Sequence, residues 1–575
     1  MSTGRPPRAG DGDRVAFVLG GDGGLRRRDR GALGTWLGLG VVAVVIAIPL
    51  RGLYRFTGGT MEEGFMLYFP ELLGQGKVPN VDFLHLYGPG SLQALFGWYE
   101  LFGYSLPAER TFGLLQHVGI ILGLFALARP WGRLAATAVA ALSVFFVLTP
   151  IALTAMAWNG GLALTLWSVV FGLRGLHLAG DEQVRARRRC WFVAGALAGL
   201  ALTFRPDLAL AVGLVLGWLL WRQAASRRPI LAGAVVGLLP MWVHVVTAGP
   251  GRAIEGMFVD PVFHLRAGRE LPRPPSWSRL DGGLQAVAEE IPPWWRLPHL
   301  SASHTLFLWF NLMVLGTLVV LGFAIWQRRR GLRSGRSSVL LAVGLVSLGI
   351  LPQALQRPDS AHLNWVSCVS WPFAVVAVAE VIARWRPDWA RRRAVTTGIA
   401  AALVLMFTFT ALFTFRYYLL HTRIGLGQVP SAYKVERDGR YFYLGDYEAY
   451  LAVQAAVDEL DRVAQPGDRL LVGPLDLRRT WYSDVFIYWL FPELEPATSY
   501  IEMDPGLANA EDSSLAADVA SADFVILTGL WAGWMEPNAS MNYGSDAPNQ
   551  VINSTFCERG RWEGDQAVLY ERCRA

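Results

Sequence analysis

Apolar runs long enough to cross a bilayer, about 20 residues each, recur along the first 416 residues and are separated by short polar breaks. They predict eleven spans, at 32–53, 108–128, 134–150, 160–179, 190–204, 207–222, 229–248, 303–326, 337–352, 363–383 and 394–416. The first 31 residues are polar, and Arg26, Arg27, Arg28 and Arg30 precede the first run with no small-residue cleavage site after it. That pattern reads as a retained first span rather than a cleaved leader. After residue 416 the period changes. Tyr447–Val463 has helical spacing and stops at Pro466-Gly467, Arg469–Val472 and Phe524–Leu527 read as buried strands, and Ser514–Ala520 reads as a helix. Residues 551–573 predict a hairpin turning near Gly564-Asp565. The expected fold class is therefore a polytopic α-helical membrane protein with a C-terminal soluble α/β domain. Its parts are a tail at 1–31, a membrane domain at 32–416 and the soluble domain at 417–575.

Charge orients this picture. Arg129 and Arg133, Arg185 to Arg189, Arg222 to Arg228, Arg328 to Arg336 and Arg384 to Arg393 all fall in alternate loops, on the side of the N-terminus. Arginine marks the cytoplasmic side, so the loops 54–107, 151–159, 205–206, 249–302 and 353–362, and everything after 416, are expected outside. Composition agrees: of 575 residues 53% are apolar and 17% charged, against about 25% charged in soluble chains, and the mean hydropathy is +0.32. The net charge of +6 is a cancellation, because residues 417–575 carry 24 acidic against 12 basic side chains while the rest of the chain is near +18. A basic chain of this kind is no argument for a nucleic-acid partner. Four cysteines exclude a disulfide scaffold. Cys557 and Cys573 lie on the two hairpin arms, where a disulfide and a pair of free thiols are both open.

The first outer loop carries the densest chemistry. Phe65, Phe69, Leu72 and Leu73 fall at i, i+4, i+7 and i+8, which suits a helix lying on the membrane surface and bent at Pro70. Glu62 and Glu63 open it. Either can serve as a general base on a hydroxyl, although Thr60-x-x-Glu63 is also a capping box. Asp82 is a second acid, a metal ligand or a turn-stabilising side chain. His85 and Tyr87 follow it as candidate substrate contacts, His85 equally as a buried structural hydrogen bond. Arg357-Pro-Asp-Ser-Ala-His362 and Phe204-Arg-Pro-Asp207 repeat Arg-Pro-Asp at two outer membrane ends. Arginine offers a planar fork to phosphate, so Arg357, Arg205 and His362 are candidates for a phosphate, Asp359 for orienting Arg357 or a sugar hydroxyl, and Asp207 for a substrate contact. Helix-end ion pairs account for the same residues. Asp260, in Phe258-Val-Asp-Pro261, is a further substrate-contact candidate. Asp476, Arg478, Tyr482, Asp484 and Tyr488 form a polar-aromatic run in the soluble part. No nucleotide-binding glycine motif, His-Glu-x-x-His or Cys-x-x-Cys is present.

The acidic pair, the helix after it, Gly76-x-x-Pro79-x-x-Asp82-Phe83, the Gly88-Pro-Gly90 turn into Leu95-Phe-Gly97, and Arg110 beyond together resemble the GT-C superfamily of glycosyltransferases. The pattern is similar to dolichyl-phosphate-mannose-transferase-like proteins and to cell-wall arabinosyl- and mannosyltransferases. The resemblance implies a polyprenyl-phosphate sugar donor and a glycan, lipid or protein acceptor. It further implies one inverting displacement on the outer face of a bacterial plasma membrane, a hexosyl- or pentosyltransferase reaction. Glu62 aligns with the family's loop aspartate. Glutamate in place of aspartate shifts the carboxylate by one methylene, so the site is remodelled or Asp82 takes the role. The family has metal-assisted and metal-free members, so a divalent cation, Mg or Mn, is an open expectation. A non-catalytic transporter or flippase for a lipid-linked glycan, or an envelope-assembly scaffold, is the competing reading. A transporter calls for an inverted repeat and polar mid-span residues, and the sequence shows no repeat and few mid-span charges.

Overall fold

A computed structural model describes residues 25–148, 151–178, 180–286, 299–332 and 334–574, without the side chains of 25–32 and 181. Most of the expected tail, the arginine side chains at its end, the Trp-rich part of the loop at 287–298, the end of the run at 134–150, and Arg333 lie outside the described residues.

Helix α1 (Leu25–Leu53) is followed by α2 (Glu62–Gly74) and α3 (Pro89–Phe102). Then come α4 (Leu106–Ala128), α5 (Arg133–Val147), α6 (Ala157–His177), α7 (Val184–Phe204) and α8 (Ala209–Arg222). Helices α9 (Arg227–Gly237) and α10 (Leu239–Ala248) are bent from one another by 45°. The next loop holds α11 (Pro250–Ile254), a π-helical stretch (Glu255–His264) and α12 (Gly283–Ala286). The bundle closes with α13 (Ala302–Arg329), α14 (Gly335–Gln356), α15 (Ser360–Ser370), α16 (Ala374–Trp385), α17 (Arg391–Phe409) and α18 (Phe415–Gly425).

The chain is a polytopic α-helical membrane protein. A helix stands at each of the eleven expected places. Among the described residues, however, length and composition select six membrane-crossing helices, or seven with the bent pair. Helices α5 and α8 have only 15 and 14 residues, and α7 puts four arginines into its first six positions. Small residues allow the closest helix contacts: a Cβ on Gly195 of α7 would collide with the Ile230 carbonyl of α9, and one on Gly233 of α9 with the Phe192 carbonyl of α7. The expected domain boundary at 417 falls inside α18, which packs on α1. There the Tyr418 hydroxyl donates to the Val45 carbonyl at 2.6 Å.

The C-terminal part begins with a hairpin that the sequence pattern did not predict, β1 (Tyr433–Arg437) and β2 (Arg440–Leu444). Its turn is Asp438-Gly439, both with positive φ, the geometry that favours such pairs. Helix α19 (Tyr447–Val463) matches its expected bounds, and β3 (Arg469–Pro474), α20 (Phe486–Leu490), β4 (Glu495–Pro496), α21 (Leu515–Ser521) and β5 (Phe524–Thr528) follow. The expected hairpin is shorter than 551–573, because α22 (Ala547–Thr555) precedes β6 (Phe556–Trp562) and β7 (Ala567–Arg572). The sheet order is β4-β3-β5-β7-β6, with β3 parallel to β4 and β5, and β7 antiparallel to β5 and β6. Cys557 and Cys573 form a disulfide across β6 and β7, their Cα atoms 5.1 Å apart.

Helix α2 corrects one expectation. It runs unbroken through Pro70 instead of bending there, and protein encloses it: Phe65, Met66, Leu67, Tyr68 and Phe69 are all fully buried. Five consecutive apolar or aromatic residues cover every face, and a helix apolar all round is buried. Its cover is the C-terminal domain. Tyr68 stacks on Tyr488 at 5.4 Å, the Phe486 amide donates to the Thr60 carbonyl, and Arg440 pairs with Glu71 at 2.7 Å.

Candidate functional site

The two glutamates that open α2 have opposite surroundings. Arg110 of α4 donates from Nε to Oε1 of Glu63 at 2.7 Å and from Nη2 to Oε2 at 2.8 Å, with Nη1 on the Leu53 carbonyl. Both side chains are fully buried. The expected capping box does not form: Met61 is the N-cap and makes no side-chain cap bond. A bidentate charge-assisted pair is worth more than one amide bond, and a buried guanidinium without its partner costs several kcal/mol. Glu63 thus has both oxygens engaged by Arg110 in a fully buried pair, which gives it a structural role in place of the expected cap.

Glu62, one position earlier, points about 100° away on the helix. It is half-buried and makes no hydrogen bond or ion pair among the described residues. Its charge acts on Tyr87, Tyr482 and Glu502. Each of these tyrosines holds an arginine. The Arg205 guanidinium lies over the Tyr87 ring at 4.5 Å. The Tyr482 hydroxyl accepts from Arg357 Nη2 at 2.6 Å, and Arg269 lies over the Tyr482 ring at 4.4 Å. Burial pushes the Tyr87 phenol up to about 12 and raises that of Tyr482, so both remain neutral hydroxyls.

Carboxylates fix the arginines. Arg205 pairs with Asp207 at 3.0 Å, and Gln353 donates to the same carboxylate. Arg269 pairs with Asp504 at 2.9 Å. Arg357 meets Glu536 at 3.1 Å and approaches Asp359 at 3.8 Å, while its own Nε is buried with no acceptor. Glu502 and Asp504 are both buried, and burial together with their mutual repulsion holds the Glu502 carboxyl well above the usual carboxylate range. Both causes favour the protonated form of Glu502 over the carboxylate.

The structure gathers Glu62, Tyr87, Arg205, Asp207, Arg357 and Asp359 near one end of the bundle. Asp359 is chiefly a helix cap: its carboxylate accepts from the Ala361 and His362 amides at 2.8 and 3.0 Å, and from His362 Nδ1 at 2.8 Å. His362 is thereby turned toward Asp359, against Trp365. Of the other candidates Asp82 and Asp260 stand apart, and His85 packs against Tyr87 from beneath the cluster. Asp82 is exposed and accepts from the Val78 amide at 2.6 Å, a turn role. His85 is fully buried edge-on between Phe69 and Tyr87, and burial drives its imidazole down to about 3, leaving it neutral packing. Asp260 pairs with His264 at 3.0 Å and lines a separate cavity of about 440 Å³ with Tyr500 and Asn80. Among the described residues no group of three or more His, Cys, Asp or Glu side chains is placed to hold a metal ion.

Arg269, Glu502, Asp504 and Glu536 were missed by the sequence reading. Arg269 sits in the Pro-rich loop and its partner Asp504 is 235 residues away, a pairing no local pattern carries. Of the polar-aromatic run only Tyr482 reaches the cluster. Asp476 and Arg478 pair with each other at 2.8 Å, Tyr488 accepts from the Val472 amide, and Asp484 is buried on Trp531 and Thr528.

No protein-family model and no curated protein matches the chain. Among solved structures it is similar to ArnT from Cupriavidus metallidurans bound to undecaprenyl phosphate, with 14% identity over 94% of this chain and 98% of that one and a TM-score of 0.48. For the apo state of that protein the identity is 15%, with the same coverage and a TM-score of 0.49. It is also similar to the apo oligosaccharyltransferase of Archaeoglobus fulgidus, with 12% identity over 85% of this chain and 69% of that one and a TM-score of 0.42.

Proposed function

We propose that this chain is a membrane glycosyltransferase that moves a sugar from a polyprenyl-phosphate donor to a hydroxyl acceptor, with Glu62 as general base. The observation that carries the reading is Glu62 itself: a carboxylate without a protein partner among the described residues, electrostatically coupled to two tyrosines that each hold an arginine. A base must keep a free oxygen for the proton it accepts, and Glu62 does where Glu63 does not.

In the proposed reaction Glu62 takes the proton of the acceptor hydroxyl as its oxygen bonds to the anomeric carbon. The bond from that carbon to the phosphate oxygen breaks on the opposite side, its electron pair leaves with the lipid phosphate, and configuration inverts. Arg357, Arg205 and Arg269 stabilise the charge that grows on the departing phosphate, pre-oriented by their carboxylates. Tyr482 offers its hydroxyl to the same oxygens or to the sugar, and Glu502, biased toward its protonated form, lies beside it in the same cluster. The cluster belongs to the outer side of a bacterial plasma membrane, as the arginine-marked loops lie at the other bundle end. Sugar, acceptor and any Mg or Mn requirement are read by supplying purified protein with a panel of polyprenyl-phosphate sugars and following release of polyprenyl phosphate. Turnover with one donor is expected. Movement of labelled donor across vesicles with no release of phosphate would overturn the reading in favour of transport.

A further inference from the structure

The end of the bundle opposite Glu62 holds a second built feature. A cavity of about 670 Å³ opens there, lined by five arginines, Arg187, Arg222, Arg328, Arg336 and Arg384, and, among the described residues, by one carboxylate, Glu380. They converge from the start of α7, the end of α8, the end of α13, the start of α14 and the end of α16. Arg187 and Arg205 bracket α7, so the cavity and the Glu62 cluster are about 27 Å apart along one helix.

Arginines that only set topology need to be no more than exposed in a loop. These are organised further. Arg187 lies over the Trp191 ring at 5.5 Å, Arg328 over Trp218 at 5.3 Å, and Arg384 over Trp326 at 5.3 Å. Stacking holds a guanidinium plane in place while leaving its edge for an acceptor. Two of those edges are in deficit: the Nε atoms of Arg187 and Arg384 are buried and have no hydrogen-bond acceptor. Glu380 carries a single charge and is shared: it accepts from Trp131 Nε1 at 2.8 Å and faces Arg336 at 3.5 Å. A buried charged donor without an acceptor is costly, and five like charges around one space repel. An anion with several oxygens relieves both.

We propose that this cavity is a phosphate-binding site, separate from the Glu62 cluster, that takes the headgroup of an anionic membrane lipid. Planar forks suit phosphate oxygens, and basic pockets between helices at this membrane level suit anionic headgroups. Trp218 and Leu332 supply an apolar side for the glycerol and upper acyl carbons. A soluble phosphate or diphosphate shares the chemistry and is the other source.

Delipidated full-length protein in neutral detergent is titrated with phosphatidylglycerol, phosphatidylcholine and inorganic pyrophosphate. Retained ligand is counted by native mass spectrometry, and melting is followed in parallel. Phosphatidylglycerol is expected to be retained and to raise the melting temperature, and phosphatidylcholine is not. The double variant Arg187→Gln/Arg384→Gln is expected to lose affinity by about ten-fold or more, as two charged hydrogen bonds go. Glu380→Gln keeps an acceptor for Trp131 and removes the opposing charge, so it is expected to bind more tightly. Retention of pyrophosphate alone, with the same variant pattern, supports the anion site and assigns it to a soluble source. Equal retention of phosphatidylglycerol and phosphatidylcholine without pyrophosphate binding, or no tightening in Glu380→Gln, overturns the proposal.

Discussion

Exchanging each glutamate of the pair for glutamine separates chemistry from architecture, because the two changes are isosteric and one residue apart. Glu62→Gln removes a half-buried carboxylate that bonds to no described residue, so stability should stay within about 0.5 kcal/mol, the range of substitutions that break no contact. Its loss as a base should cost about 10²–10⁴ in rate, equivalent to about 3–5 kcal/mol of barrier. Glu63→Gln does the reverse. It takes the bidentate carboxylate from Arg110, which is fully buried and held otherwise by the Leu53 carbonyl, the Tyr443 ring at 5.6 Å and the nearby carboxyl of Glu109. Breaking a buried pair from one side costs about 3–5 kcal/mol. The assay is phosphate release per folded protein, with thermal melting of the same samples in one detergent. Glu62→Gln should be dead and stable; Glu63→Gln should melt early and retain turnover per folded molecule. A Glu62→Gln protein with normal turnover, or a Glu63→Gln protein that is inactive with an unchanged melt, refutes the division of roles.

Arg357→Lys keeps the charge but loses the fork shared by Tyr482 and Glu536, so kcat should fall by about ten-fold or more, with a smaller change in KM; steady-state kinetics in donor decide it. Glu71 sits at 7% exposure against Arg440, and burial raises its carboxyl from 4.5 to about 7 despite that arginine. The unfolded chain releases this proton first, so stability is retained below pH 4.5 and is lost as pH rises through about 7, by about 3 kcal/mol at most. Glu71→Gln should flatten that decline in melts taken between pH 4.5 and 8, and unchanged slopes would falsify the assignment. Cys557→Ser opens a disulfide closing a 16-residue separation and should cost about 3 kcal/mol. Reductant should lower the melting temperature of the wild type and leave that of the variant where it is.

Apolar run length, arginine bias and the break in period after 416 determined by themselves that the chain is a helical membrane protein with an α/β C-terminal part. These properties are local, because a helix in lipid satisfies its own backbone and needs no distant partner. Helix α19 and strands β3 and β5 were legible for the same reason, since periodicity and flanking turns mark them. What Glu62 and Glu63 do was not legible. Their spacing is that of a capping box, and only the arrival of Arg110 from α4, 47 residues on, turns one into a buried ion pair and leaves the other free. The surroundings of the arginines were hidden in the same way: Arg357 meets Tyr482 and Glu536 across 125 and 179 residues, and Arg269 meets Asp504 across 235. The burial of α2 also needed the C-terminal domain, because a helix apolar on all sides does not say what covers it. Sequence thus determined that the chain is a helical membrane protein and where its helices stand. Tertiary structure decided which charges are paired, and pairing in a low-dielectric interior is what distinguishes a carboxylate that holds the fold from one left free to accept a proton.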